Sequence, residues 1–194
     1  MTEYQSMFKG NKTKDRILAA SMEIIAKEGI EGLSAKKIAD LSGISKSTLF
    51  HHFGSIDEVL NIVFEYTITY LIKPVQSDQS TNLEGFLLSL GESIYTLTEE
   101  EKIAYLVLLN FYITCLHNEK YRSYLLKAKN EMTEAIASQL TNYSSQNKDR
   151  LLQISEIIMM TLDGYAIHFL LQPGRGAFKE IWALHVSGWL TLLK

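Results

Sequence analysis

The stretch "SAKKIADLSGISKSTLFHHF", residues 34–53, places a glycine between two short helical patterns. Ser34 is a good N-cap for the first, with Ile38, Ala39 and Leu41 facing inward, and Gly43 breaks it. Ser45 caps the second, whose Leu49 and Phe53 lie one turn apart and point into a small core. Two short helices joined by a tight glycine turn read as a helix-turn-helix. Longer helical patterns bracket it. Ile17, Leu18, Ser21, Ile24 and Ile25 recur at helical spacing from about Thr13 to Glu28, where Gly29 stops them. Ser55, with Glu58 three residues on, opens a helix carrying Leu60, Val63, Phe64, Ile68 and Leu71 to Pro74.

The chain has 194 residues, 46% of them apolar and 21% charged, with only 2 prolines, which favours an all-α protein. The polar segment "KPVQSDQSTN", residues 73–82, reads as a linker. Beyond it helices are expected over 83–97, 101–116, 119–141, 148–171 and 177–193, with Thr98 and Glu101 as a capping box. "QPGRG", residues 172–176, should separate the last two, and residues 1–10 read as a loose arm. The expected division is a DNA-binding domain over 1–54 and a larger helical domain over 55–194. A single cysteine, Cys115, excludes an intrachain disulfide. No signal-peptide pattern opens the sequence and no unbroken apolar run suits a membrane span, so a cytoplasmic protein is expected.

Charge is distributed unevenly. Residues 9–56 carry 8 Lys/Arg against 5 Asp/Glu, whereas residues 57–194 carry 11 against 16. A basic head on an acidic body suits a protein that offers only its head to a polyanion. A recognition helix must present short polar side chains near its N-terminal end to a major groove about 12 Å wide. Lys46 and Ser47 stand at that end, within reach of base edges. Ser45 and Thr48 are placed to hold phosphate oxygens. His51 and His52 lie toward the groove wall, and Lys36 and Lys37 flank the backbone. Ser34 can touch phosphate as well as cap. Adjacent helical residues point about 100° apart, so the histidine pair is a poor metal site, and no metal or cofactor is expected.

"RILAASMEIIAKEGIEGLSAKKIADLSGISKSTLFHHFGSIDEVL", residues 16–60, resembles the DNA-binding domain of the TetR family of bacterial regulators. The family's spacing of glycine, serine, Ile-Ala, the Thr-Leu-aromatic triplet and the closing His-Phe is matched nearly throughout. The rest resembles the family in length, helicity and the closing "LDGYAIHFLLQP", residues 162–173. The resemblance implies a homodimer with one reading head per subunit, Thr48 on phosphate, and Lys46, Ser47 and His51 on bases. Two departures stand out. Phe50 fills a position often held by tyrosine, which removes a hydroxyl contact to phosphate, and Ile56 replaces a common lysine.

In the body, "LLQISEIIMMTLDGYAIHFLL" (151–171) and "FKEIWALHVSGWLTLL" (178–193) are apolar on too many sides for helices at a monomer's edge. They are expected to build a four-helix dimer interface through Ile158, Leu162, Tyr165, Phe169, Trp182, His185 and Trp189. Ala183, Ser187 and Gly188 would permit close approach. The alternative is that both helices are buried within one subunit. Phe86, Leu90, Tyr95, Tyr105, Leu109, Tyr112 and Tyr124 either pack as core or line a pocket for a small-molecule effector. The expected function is a dimeric transcriptional regulator, a repressor that an effector releases from a palindromic operator in double-stranded DNA. The alternative is a DNA-binding protein of the same fold that senses nothing. No metal-ligand spacing, phosphate-cradling loop or nucleophile elbow supports an enzyme, and Asp163 and His168 stand about 140° apart around their helix.

Overall fold

Apolar side chains at three- and four-residue spacing give Lys12–Glu28 a buried stripe of Ile17, Leu18, Ser21, Ile24 and Ile25, and this segment forms α1. A 3-10 turn over Ile30–Gly32 follows. In chain order come α2 (Ala35–Ser42), α3 (Lys46–His52), α4 (Ile56–Gln76), α5 (Leu83–Tyr95), α6 (Glu99–Cys115), α7 (Glu119–Leu140), α8 (Lys148–Leu171) and α9 (Phe178–Leu192). This computed structural model describes residues 12–173 and 176–193. The expected arm over residues 1–10 lies outside them, as do two residues of the 172–176 break. The described residues are helical with no strand, so the protein is all-α.

The described residues fall into two units. One takes in those up to Tyr70 with Thr98–Leu125, the other Leu71–Leu97 with those from Leu126 onward. In the first, α1 packs on α2 and on α6, and α2 on α3. Ser34 accepts from the Lys37 N–H at 3.3 Å and Ser45 from the Thr48 N–H at 3.0 Å, so both predicted caps form. Each such cap stabilises its helix by about 1 kcal/mol. Gly43 ends α2 in the left-handed conformation (φ 64°, ψ 42°), which a Cβ would strain. Ile38, Ala39, Leu49 and Phe53 are buried as expected. Leu41 is not: it is 48% exposed, and Ser42 takes the inward position, its hydroxyl donating to the Ile38 carbonyl at 2.5 Å. Ser42 falls between Ile38 and Ala39 around the helix, whereas Leu41 falls about 100° from the centre of that face.

Pro74 does not end α4, which runs to Gln76. Its ring lacks the N–H that the carbonyl four residues back would accept from, yet the helix continues and the Ser77 N–H donates to the Lys73 carbonyl at 3.0 Å. The segment beyond is tied down rather than free: Asp78 accepts from the Ser80 N–H at 2.9 Å and from the Ser89 hydroxyl at 2.8 Å. Thr98 and Glu101 form the predicted capping box.

In the second unit α5 packs on α8 and α9. Trp182 lies fully buried among them, its indole N–H donating to the Leu87 carbonyl at 2.8 Å. Its ring meets Tyr165 at 4.9 Å and Trp189 at 5.1 Å, both edge-on. The Tyr165 hydroxyl donates to the Phe178 carbonyl at 3.2 Å, and burial pushes its pKa up to about 12. Ile158, Tyr165, Phe169, Trp182 and Trp189 belong to the interior of the unit, because the large rings fill the space against α5. Leu162 is half-buried and His185 exposed. The helices still carry a second apolar face: Ile157, Met160, Ile167 and Leu171 on α8, with Leu184 and Leu192 on α9, are 40–73% exposed. A Cβ added at Gly164 or Gly188 would meet nothing within 4 Å. Among the described residues α8 is the one helix long and apolar enough to cross a membrane. Leu151, Ile154, Ile158 and Tyr165 of that helix are buried inside the unit.

Candidate nucleic-acid interface

The seven residues of α3 divide cleanly. Leu49 is fully buried, with Phe53 beside it in the core, whereas Lys46, Ser47, Phe50 and His51 are exposed. These four stand at i, i+1, i+4 and i+5, which puts them on one helical face. Thr48 and His52 are half-buried at its margins. The Ser45 oxygen caps α3 and also shares hydrogen bonds with the Ser47 hydroxyl at 2.7 Å and the Thr48 hydroxyl at 2.8 Å. Three hydroxyls thus gather at the helix start, where peptide dipoles favour an anion. The rings of His51 and His52 meet edge-on at 66°, centroids 5.5 Å apart.

On α2, Lys36 is exposed, while the Lys37 ammonium is paired with Glu28 from the end of α1. Lys37 must leave Glu28 to reach a phosphate. Glu28→Gln should free it, and the slope of log K against log salt for DNA should then steepen by up to about 1. Titrations between 50 and 200 mM salt check this.

One group that holds α3 in place has no local signature in the sequence. Arg16 on α1 reaches the turn between α2 and α3: Nε donates to the Ser42 carbonyl at 2.9 Å and Nη2 to the Gly43 carbonyl at 2.9 Å. Those carbonyls end α2, and the guanidinium supplies donors that the helix itself cannot. Arg16→Ala should cost about 2 kcal/mol, read as a lower melting temperature with α3 loosened first in amide exchange. Glu58, whose spacing from Ser55 the sequence does show, accepts from the Gly54 N–H at 2.7 Å while Ser55 accepts from the Glu58 N–H at 3.1 Å. The predicted cap of α4 forms, reaching one residue further back than a capping box. Lys14 lies over the Phe53 ring at 5.7 Å.

The expected effector positions divide between the units. In the first, Tyr105, Leu109 and Tyr112 are half-buried on α6, and Tyr124 is 39% exposed against Phe64 at 6.4 Å. In the second, Phe86 is fully buried on Tyr143 at 6.0 Å, Leu90 is buried, and Tyr95 is half-buried. Tyr95 has a raised pKa, first from burial and then from Glu92 and Glu180.

Residues 17–63 match the family described as "Bacterial regulatory proteins, tetR family". A relative from Saccharopolyspora erythraea, an HTH-type transcriptional regulator, is 31% identical over 78 residues, 40% of this chain. The chain spans about a third (33%) of that relative's length. The HTH-type transcriptional regulator PksA of Bacillus subtilis is 26% identical over 188 residues, covering 91% of this chain and 89% of its own. A protein from Saccharomonospora viridis, solved in complex with choline, shares the fold at a TM-score of 0.73 and 19% identity, over 93% of this chain and 96% of its own.

Proposed function

We propose that this chain, whose residues 17–63 match the tetR family of bacterial regulatory proteins, is a DNA-binding transcriptional regulator rather than an enzyme, and specifically a homodimeric repressor which a small molecule releases from a palindromic operator. The observation that carries the proposal is the exposed face of α3, where Lys46, Ser47 and His51 project beside three clustered hydroxyls. Lys46, Ser47 and His51 read base edges. Ser45, Thr48 and Ser34 hold phosphates, with Lys36, Lys37 and His52 flanking them. Residues 1–54 act as the DNA-binding domain and 55–194 as the sensing and dimerisation domain, in the cytoplasm.

Dimerisation is supported by the exposed stripe of Ile157, Met160, Ile167 and Leu171 beside Leu184 and Leu192. Such an apolar face is unusual on a free surface, and Gly164 and Gly188 let a partner helix approach closely. The two reading helices then enter successive major grooves about 34–36 Å apart. Effector binding is supported by the half-buried Tyr105, Leu109 and Tyr112 on one face of α6, where two tyrosines pair apolar rings with polar tips. The choline complex of a protein of this fold is consistent with a small-molecule site. For release, the effector must bind the DNA-incompetent state more tightly, by about 10⁴ for near-complete switching.

The test is made in the source cell. DNA bound by the chain is recovered and sequenced, and transcripts next to the bound sites are compared with those of a deletion strain. Rising transcripts on deletion support a repressor. Falling or unchanged transcripts overturn that part of the reading.

A further inference from the structure

Phe50 is out of keeping with its surroundings. Its ring is 46% exposed on the face of α3 that carries Lys46, Ser47 and His51, while the neighbouring Leu49 is fully buried. Lys46 lies one turn before it and Ser47 three residues before it, so all three project in one direction. A benzyl side chain has nothing to offer a phosphate oxygen: it donates no hydrogen bond and carries no charge. Among the groups displayed on major-groove base edges, one is apolar, the 5-methyl of thymine. An exposed aromatic ring amid hydrogen-bonding side chains is complementary to that group.

From this we infer that Phe50 is a specificity-determining residue that reads the 5-methyl group of a pyrimidine in each operator half-site. The inference rests on the DNA-reading role of α3 proposed above. It has a chemical corollary. Cytosine methylated at C5 presents the same methyl at the same place in the groove, so Phe50 recognises 5-methylcytosine there as far as the methyl is concerned. A neighbouring hydrogen bond from Lys46 or Ser47 must then distinguish the two bases.

The experiment uses the full chain and a site selected from random duplex DNA. Each thymine of the selected half-site is replaced in turn by uracil, which removes only the methyl, and affinities are measured for the natural chain, Phe50→Ala and Phe50→Tyr. One thymine per half-site should weaken binding about fourfold on losing its methyl, or roughly fifteenfold when both half-sites are altered. The penalty should vanish in Phe50→Ala and persist in Phe50→Tyr, which keeps the ring. Equal affinity for every uracil-substituted site, or a penalty that survives in Phe50→Ala, overturns the assignment while leaving DNA reading intact. Selection of no sequence overturns both together.

Discussion

Gly91→Ala is expected to destabilise the protein by about 3 kcal/mol, although alanine in place of glycine inside a helix ordinarily gains close to 1 kcal/mol. The sign is reversed by Trp182. A Cβ at position 91 would lie 2.3 Å from the indole Cδ1 and Cγ, closer than any carbon pair tolerates. Gly91 is buried on α5, and Trp182 has no room to withdraw, being fully enclosed with Tyr165 and Trp189 against its ring. Displacing it strains the core by roughly 1–3 kcal/mol. It also breaks the hydrogen bond from the indole to the Leu87 carbonyl, leaving polar groups buried without partners. Thermal unfolding should show a midpoint about 6–12 °C lower. In a Trp182→Leu background the same substitution should cost much less, since the clash is gone. An unchanged midpoint for Gly91→Ala in the natural background would contradict the packing described.

The second large effect concerns the exposed stripe of α8 and α9. Leu184 is 73% exposed, so Leu184→Glu should leave the subunit folded. In a two-fold dimer the substitution occurs on both copies, and each carboxylate would have to be buried against apolar neighbours. On the proposed homodimer, sedimentation should find two chains for the natural protein and one for the variant. Affinity for a palindromic site should fall by about 10³ or more, because a single head loses the second half-site's contribution. A variant of unchanged mass and affinity would remove the stripe from the interface.

The reading head was legible because its signals are local. A serine three residues ahead of an unsatisfied N–H, a glycine at a left-handed turn and two apolar residues one turn apart specify α2 and α3 within twenty residues. Arg16 shows where this stops: its acceptors lie 26 and 27 residues away, and nothing near position 16 announces them. The body was legible as helices but not as faces. Along α9 apolar residues point to every side, and periodicity alone does not tell that Trp182 and Trp189 turn inward while Leu184 and Leu192 turn out. That choice is made by α5, whose glycine at position 91 leaves a slot for an indole. Tyr165 and Phe169, on faces that periodicity leaves equally open, pack on Phe178.

Selection of binding sites from random double-stranded DNA with the full chain, at about 0.15 M salt, asks whether α3 reads sequence. The expected result is a palindrome with half-sites about one helical turn apart, lost when Lys46 and Ser47 are both replaced by alanine. Enrichment of no sequence, or of the same sequence by that double variant, would show that α3 is not the element that reads DNA.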